Sequence, residues 1–108
     1  MSQSTAPVLL VPARKRHGKW SKPDVPHRGW TLRDVIDHEE YPAKTCDMCE
    51  SMDIRYECQM VHPDYPHVLG CGRICAGLMA TDYEEVMTKH KHVVRKARNA
   101  AARKRRNG

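Results

Sequence analysis

Apolar and polar residues alternate strictly along one short segment of this 108-residue chain, IRYECQMV at residues 54–61. The alternation places Ile, Tyr, Cys and Met on one face and Arg, Glu and Gln on the other, which predicts a half-buried strand. The run VLGCG at 68–72 can return as its partner after the proline-bounded loop HPDYPH at 62–67, so residues 54–71 predict a β-hairpin. Upstream, GWTLRDVID at 29–37 is rich in β-branched and aromatic residues and predicts a first strand.

After Cys75 the apolar period lengthens from two residues to three or four, which predicts helix. The segment TDYE at 81–84 matches a capping box. We therefore predict a short helix after Cys75, a break near Ala80, and a long helix from Asp82. The tail from Ala97 to Arg106 keeps good helix formers without an apolar stripe, so we expect it to become helical only when bound. The stripe consists of Met79, Tyr83, Val86, Met87, His90, Val93, Val94 and Ala97.

The chain is poor in large core residues, with no phenylalanine, two tryptophans and four tyrosines. A single domain of this size commonly needs a metal or disulfides to fold stably. All five cysteines lie between residues 46 and 75, and an odd number argues against a secreted disulfide framework. The run APVLLVP at 6–12 is too short for a signal peptide, and no apolar run approaches a membrane span. We predict a cytoplasmic protein with reduced thiols, or a nuclear one if the source is eukaryotic.

The cysteine spacing predicts one structural zinc ion. Cys46 and Cys49 form a CxxC knuckle, and Cys71 and Cys75 stand at the start of the predicted helix. The order of knuckle, β-hairpin and C-terminal helix predicts a small α+β, zinc-stabilised, treble-clef-like domain. Four thiolate ligands leave no open position for water, so such a zinc would hold the fold and carry out no chemistry.

Two other interpretations of the cysteines stay open. Cys58 lies on the apolar face of the predicted strand, where a buried thiol packed as a small hydrophobic residue is expected. Alternatively, Cys58 and His62 form a C-x3-H pair that completes the site with Cys46 and Cys49. The cysteines could also be buried or free thiols of a domain that binds no metal.

Charge is concentrated at the two ends of the chain. Residues 1–23 carry five Lys and Arg and residues 93–108 carry seven, with no acid in either segment. Residues 24–92 hold all 13 acidic residues against seven Lys and Arg. We predict a flexible basic arm at 1–28, a zinc-binding domain at 29–94, and a basic tail or helix extension at 95–108.

Arginine-rich segments with alanine spacers commonly order on binding DNA or RNA, so nucleic acid is the predicted partner, contacted mainly at its phosphates. Trp20 stands among cations and is predicted to stack on a base. The sequence indicates no small-molecule substrate. It also indicates no membrane surface as partner, because the apolar face of the tail is only alanine. The predicted nucleic-acid-binding residues are Arg14, Lys15, Arg16, Lys19, Trp20, Arg95, Lys96, Arg98, Arg103, Lys104, Arg105 and Arg106.

Three further hypotheses stay open for function. The arms could be solubilising tails without a partner. The zinc domain could be an adaptor that docks on a partner enzyme through its acidic hairpin face. In a minor alternative, a treble-clef nuclease would bind a second, catalytic metal through His62 and His90, although no Asn or further His stands at a suitable place.

The segment CDMC, IRY, HPDYP and CAGLM within residues 29–80 resembles a family of small bacterial and phage-type proteins with a CxxC…IRY…HPDYP…CAGxM pattern. The resemblance implies a zinc-binding treble-clef or ribbon-like domain and implies no activity. It supports Cys46, Cys49 and Cys75 as ligands. The chain departs from the pattern in having Arg73 where a cysteine is expected, with a cysteine at position 71 instead, and Cys58 where relatives carry histidine.

Overall fold

The predicted hairpin forms part of a three-stranded antiparallel sheet in the computed structural model, which describes residues 18–107. The elements are β1 (Thr31–Asp37), β2 (Lys44–Thr45), β3 (Asp53–Ile54), β4 (Tyr56–His62), β5 (Tyr65–Cys71), α1 (Arg73–Met79) and α2 (Tyr83–Asn107). The sheet has the strand order β1-β4-β5, and β2 pairs with β3 in a separate two-stranded ribbon. A 3-10 turn over Gly18–Ser21 precedes the sheet.

The β4–β5 hairpin has a shorter turn than the sequence predicted. His62 pairs directly with Tyr65, so only two residues connect the strands instead of the six expected. Tyr65 is drawn into the sheet because its ring packs on that of Trp30, with centroids 5.5 Å apart. The predicted alternation is confirmed, since Cys58 and Met60 are both buried.

Trp30 links the beginning of β1 to the connection between the two helices by backbone hydrogen bonds. Its backbone N–H donates to the carbonyl of Met79 at 3.2 Å, and its carbonyl accepts from the N–H of Thr81 at 2.9 Å. The indole N–H donates to the Pro26 carbonyl at 2.8 Å, and the residue is fully buried. These bonds hold the connection between α1 and α2 beside the start of β1.

The break between the two helices near Ala80 lies where the sequence predicted, whereas α1 begins at Arg73 and not after Cys75, and the cap of α2 also differs. Asp82 caps α2 by accepting the Glu85 N–H at its Oδ1, 3.1 Å away, so the cap lies one residue after the Thr81 of the predicted box. The expectation that the tail is helical only when bound is wrong, because α2 continues to Asn107. Alanine, arginine and lysine are strong helix formers, and cations in the last turns interact favourably with the helix dipole.

The sequence predicted a flexible arm up to residue 28, whereas the structure packs the last part of that segment into the core. Trp20 is only 4% exposed and Val25 is 5% exposed. Residues 1–17 of the predicted arm lie outside the described residues. The aromatic and branched side chains at 20 and 25 supply apolar area that a chain without phenylalanine otherwise lacks.

Sulfur-containing side chains make up much of the interior. All five cysteines are buried, together with Met48, Met60 and Met79. The architecture is thus a small α+β fold with a sheet, a C-terminal helix and a cysteine-rich core.

Candidate metal centre and cationic helix

The knuckle that carries Cys46 and Cys49 is the loop of the β2–β3 ribbon. The Cys46 N–H donates to the Met52 carbonyl at 2.7 Å, and the Glu50 N–H donates back to the Cys46 carbonyl at 2.9 Å. Glu50 has a positive φ of 58°, which lets the chain reverse tightly after Cys49. This backbone turn directs both thiols to the inside of the loop.

Three thiol sulfurs converge in the core. The Sγ atoms of Cys46, Cys49 and Cys75 all lie within 4.8 Å of one another, and all three residues are buried. Cys75 is the third residue of α1, so the first turn of that helix brings it against the knuckle. Three thiolates at this separation can hold a metal ion.

Cys71 adjoins this group at the end of β5 but is not a member of the close trio. Its Sγ lies 3.7 Å from the Sδ of Met79, and its thiol is near enough to Cys46 to lower the pKa of that residue. Of the four predicted ligands, the structure therefore brings three together and places the fourth beside Cys46.

Hydrogen bonds concentrate negative charge on one sulfur of the cluster. The thiols of Cys71 and Cys75 donate toward Cys46, which also accepts from the backbone N–H groups of Cys49 and Gly72. These contacts hold the pKa of Cys46 well below its ordinary value. The same shared hydrogen bonds, followed by burial, raise the pKa values of Cys71 and Cys75. A deprotonated sulfur is the form of cysteine that binds a metal.

The knuckle is also fixed to β5 through Asp47. Its N–H donates to the Gly70 carbonyl at 2.9 Å, and its Oδ2 accepts the Gly70 N–H at 2.8 Å. Lys44 Nζ lies 3.1 Å from the same carboxylate oxygen. Because Gly70 immediately precedes Cys71, this pair of bonds sets the distance between the knuckle and that cysteine.

A second layer of contacts comes from the N-terminal segment, and sequence analysis missed it. Trp20 donates its indole N–H to the Sγ of Cys75 at 3.4 Å, a contact between residues 55 positions apart. Lys19 Nζ contacts the Asp47 carbonyl at 2.9 Å and Glu50 Oε2 at 2.8 Å. The prediction that Trp20 stacks on a base is therefore wrong for this structure, because its ring is buried against the cluster. The sequence offered one signal that Trp20 is buried: a chain with no phenylalanine and only two tryptophans needs its large aromatic side chains in the core.

Gly18 allows the close approach of this segment to the knuckle. It has a positive φ of 61°, and a Cβ at this position would lie 2.7 Å from the backbone carbon of Cys49. Only glycine fits both the conformation and the space. The Lys19 N–H then donates to the Met48 carbonyl at 2.7 Å and joins the two loops.

The alternative ligand pair of Cys58 and His62 is not brought to the cluster. Cys58 faces Val35 on β1 and Cys71 on β5, and burial raises the pKa of its thiol to about 12. His62 lies at the other end of β4, roughly 13 Å further along the strand. There its ring packs on Trp30 with centroids 5.3 Å apart. Cys58 behaves as the buried thiol of the first interpretation.

The two histidines of the nuclease hypothesis also lie apart. His62 is at the last residue of β4, whereas His90 packs on Tyr56 at the first residue of that strand, with centroids 5.5 Å apart. Burial, and secondarily the charge of Arg73, lowers the pKa of His90. Within residues 18–107 the only metal-competent group of three ligands is the cysteine trio.

The predicted cationic residues of the C-terminal segment are all at the surface. Arg95, Lys96, Arg98 and the four cations at 103–106 are exposed along α2, and no acidic residue follows Glu85 in the helix. Lys19 is engaged by Glu50, while Arg14, Lys15 and Arg16 lie outside the described residues. The surface of α2 can therefore offer many positive charges to a polyanion.

Comparison with known proteins adds no relative, since no family model, no curated protein and no solved structure matches the chain. Among residues 18–107, neither helix combines the length and apolar composition that a membrane span requires.

Proposed function

We propose that this chain is a zinc-stabilised, treble-clef-like protein that binds nucleic acid through phosphate contacts made by α2. The observation that carries the proposal is the cationic surface of that helix, which has seven exposed Lys and Arg and no acidic residue between residues 95 and 106. The cysteine cluster supports the fold from which the helix is presented.

Zinc is the metal that suits a site made only of sulfur in a small intracellular-type domain. Cys46, Cys49 and Cys75 provide three ligands, and Cys71 provides the fourth because it already contacts Cys46. When bound, the ion supplies a cross-link between the knuckle, the end of β5 and α1. The residues around it exclude water and donate hydrogen bonds to the sulfurs, which leaves the site structural.

Metal analysis of the reduced full-length protein tests this assignment. We expect one zinc per chain, loss of zinc and of cooperative unfolding in Cys46→Ala, and weaker zinc binding in Cys71→Ser. Retention of wild-type zinc content and stability by Cys46→Ala would refute the site. A Cys71→Ser variant with unchanged zinc affinity would remove Cys71 from the ligand set.

Binding to phosphates should release counterions and depend steeply on salt. If all seven cations of residues 95–106 contacted duplex DNA, log Kobs would fall against log salt with a slope of roughly −6. The test is a fluorescence-anisotropy titration of the metal-loaded protein with duplex DNA, single-stranded DNA, duplex RNA and heparin at several salt concentrations. We expect the full chain to bind and a chain lacking residues 95–108 to lose most of its affinity while keeping its zinc. Equal binding by both chains would refute the assignment to α2.

A protein-interaction adaptor is a second candidate function, favoured by one surface feature. Met52 is 44% exposed and Ile74 is 41% exposed, and both line an apolar cavity of about 180 Å³ beside the cysteine cluster. This function predicts that Ile74→Ser abolishes recovery of a partner that binds residues 29–92, without changing nucleic-acid titrations. Recovery that instead requires residues 95–108 would contradict it.

A further inference from the structure

The cations of α2 face two different electrostatic surroundings, one on each flank of the helix. On the β1 flank, Lys89 Nζ lies 3.9 Å from Asp34 Oδ1. Lys96 shares a groove with the carboxylates of Asp34 and Asp37. About two turns further on, Lys104 shares another with Asp37 and Glu39, and Arg55, which is bonded to Asp37, also lines that groove. The charge of Lys89 is therefore partly offset by Asp34, and Lys96 and Lys104 lie in grooves that contain acids of their own chain.

On the opposite flank the groove itself has no acidic residue in its lining, although Arg73 at its edge also borders a second groove that contains Asp53. Here α1 and α2 enclose a groove of about 470 Å³ with Arg73, Lys91, Arg95 and Arg98 around it, and no acidic residue lines it. All four cations are exposed, and none of them forms an ion pair within residues 18–107. The floor includes Met87, whose Sδ lies 3.8 Å from the Arg73 guanidinium. A concave, positive surface without its own counter-charges is suited to an anion.

The spacing of these cations suits the phosphates of one strand of a duplex. Lys91, Arg95 and Arg98 follow the i, i+4, i+7 pattern, which keeps them on one face of a helix over about 10 Å. Each strand of a duplex carries one phosphate per about 3.4 Å of the duplex axis, so a stretch of this length includes roughly three phosphates. Arg105 continues the same face seven residues after Arg98, and arginine binds phosphate oxygens with two parallel hydrogen bonds.

We propose that this flank of α2, formed by Arg73, Lys91, Arg95 and Arg98 and called here the open flank, is the phosphate-binding track of the protein. The lysines on the β1 flank contribute little to binding. The proposal rests on the proposed nucleic-acid function and specifies which cations carry it. It adds Arg73 and Lys91, which lie outside the basic tail identified in the sequence, and the ligand is the sugar-phosphate backbone of a nucleic acid.

Two triple variants of the full-length, metal-loaded protein test the open flank at equal change in net charge. One is Lys91→Gln with Arg95→Gln and Arg98→Gln, and the other is Lys89→Gln with Lys96→Gln and Lys104→Gln. Each replaces three exposed cations of the same helix by glutamine, a good helix former, so both should fold. Circular dichroism and zinc content establish that they do.

The slope of log Kobs against log salt should be less steep by about three for the open-flank triple than for the wild type. Each lost phosphate contact changes the slope by about one. The β1-flank triple should lose less than one and bind at least tenfold more tightly than the open-flank triple. Arg73→Gln alone should make the slope less steep by about one, because Arg73 adds one phosphate contact from α1. The probes are a 20-base-pair DNA duplex, one of its strands, the corresponding RNA duplex and heparin.

The ranking of the two triples on whichever nucleic acid binds tightest decides the proposal. Equal losses in both variants, or a larger loss on the β1 flank, would overturn the open flank while leaving nucleic-acid binding in place. Equal losses on heparin with unequal losses on nucleic acid would support a track fitted to a sugar-phosphate strand. If the wild-type chain binds none of the nucleic acids, the proposed function itself fails, together with the track.

Discussion

The proposed zinc site predicts that replacement of Trp20 by phenylalanine weakens metal binding more than it weakens the fold in general. The indole of Trp20 is buried and donates to the Sγ of Cys75 at 3.4 Å. Phenylalanine keeps most of the apolar contact but loses roughly 40 Å² of buried area, which corresponds to about 1 kcal/mol. Loss of the N–H···S bond removes about another 1 kcal/mol. We expect an unfolding free energy lower by about 2 kcal/mol.

The same change should raise the dissociation constant of the metal by about 10- to 100-fold, as is typical when a hydrogen bond to a metal ligand is removed. Stability is measured by urea unfolding followed by far-UV circular dichroism, and zinc affinity by competition with a chromophoric chelator at pH 7. Both are needed because metal binding and folding are coupled in small metal-containing domains.

Trp30→Phe is the matched control. Trp30 is equally buried and also donates its indole N–H, but to the Pro26 carbonyl at 2.8 Å and not to a sulfur of the cluster. It should lose a similar unfolding free energy of about 2 kcal/mol by the same area and hydrogen-bond terms. Any fall in its apparent zinc affinity measures the part that comes from the fold alone. Equal zinc affinities in the two variants would refute the direct role of Trp20.

Three further changes separate other features of the fold. Gly18→Ala should destabilise the metal-loaded protein by about 1–3 kcal/mol in thermal unfolding, because its Cβ would meet the Cys49 backbone at a positive φ. Cys58→Ala should cost about 1 kcal/mol while the zinc content measured by elemental analysis stays at the wild-type value. Asp37→Asn should lower stability above about pH 5 by up to about 1 kcal/mol and much less at pH 3, as measured by urea unfolding. The Arg55 guanidinium lowers the pKa of Asp37, so the native carboxylate is stabilising above the unfolded-state value of 3.8 and this contribution is lost as pH falls.

Each of these changes has a control of the same chemistry. Ser21→Ala, in the same turn, should change stability by less than about 0.5 kcal/mol. Cys71→Ala should weaken zinc binding where Cys58→Ala leaves it unchanged. Asp64→Asn, at the exposed hairpin turn, should change stability at pH 7 by less than about 0.5 kcal/mol. Each structural reason has a result that contradicts it. These results are wild-type stability of Gly18→Ala, loss of zinc from Cys58→Ala, and an effect of Asp37→Asn that does not depend on pH.

Local pattern was sufficient for most of the secondary structure. The period-two alternation identified β4, and the i, i+3, i+4 stripe identified α2 and its break from α1 near Ala80. These elements are set by contacts between neighbours in sequence, so the residues themselves carry the signal. The CxxC spacing likewise identified the knuckle, since two thiols three residues apart on a turn can point to one place.

The tail of α2 shows where local reasoning stopped too early. An alanine–arginine segment without an apolar stripe was expected to be disordered when free. Nucleation is the unfavourable step in helix formation, and here the packed part of α2 around Val86 supplies it. The added residues then only extend an existing helix.

Local pattern was enough to identify β1, the β4–β5 hairpin, both helices, the knuckle and the clustering of charge in the C-terminal segment, but not the β2–β3 ribbon or the turn at Gly18–Ser21. The tertiary structure decided which cysteines meet, that Trp20 reaches Cys75 across 55 residues, and which cations of α2 face acids of β1. The physical reason is that hydrophobic periodicity and helix propensity act between near neighbours. Sulfur–sulfur distances, indole–sulfur bonds and charge compensation depend on how separate elements pack, and no local pattern records that packing.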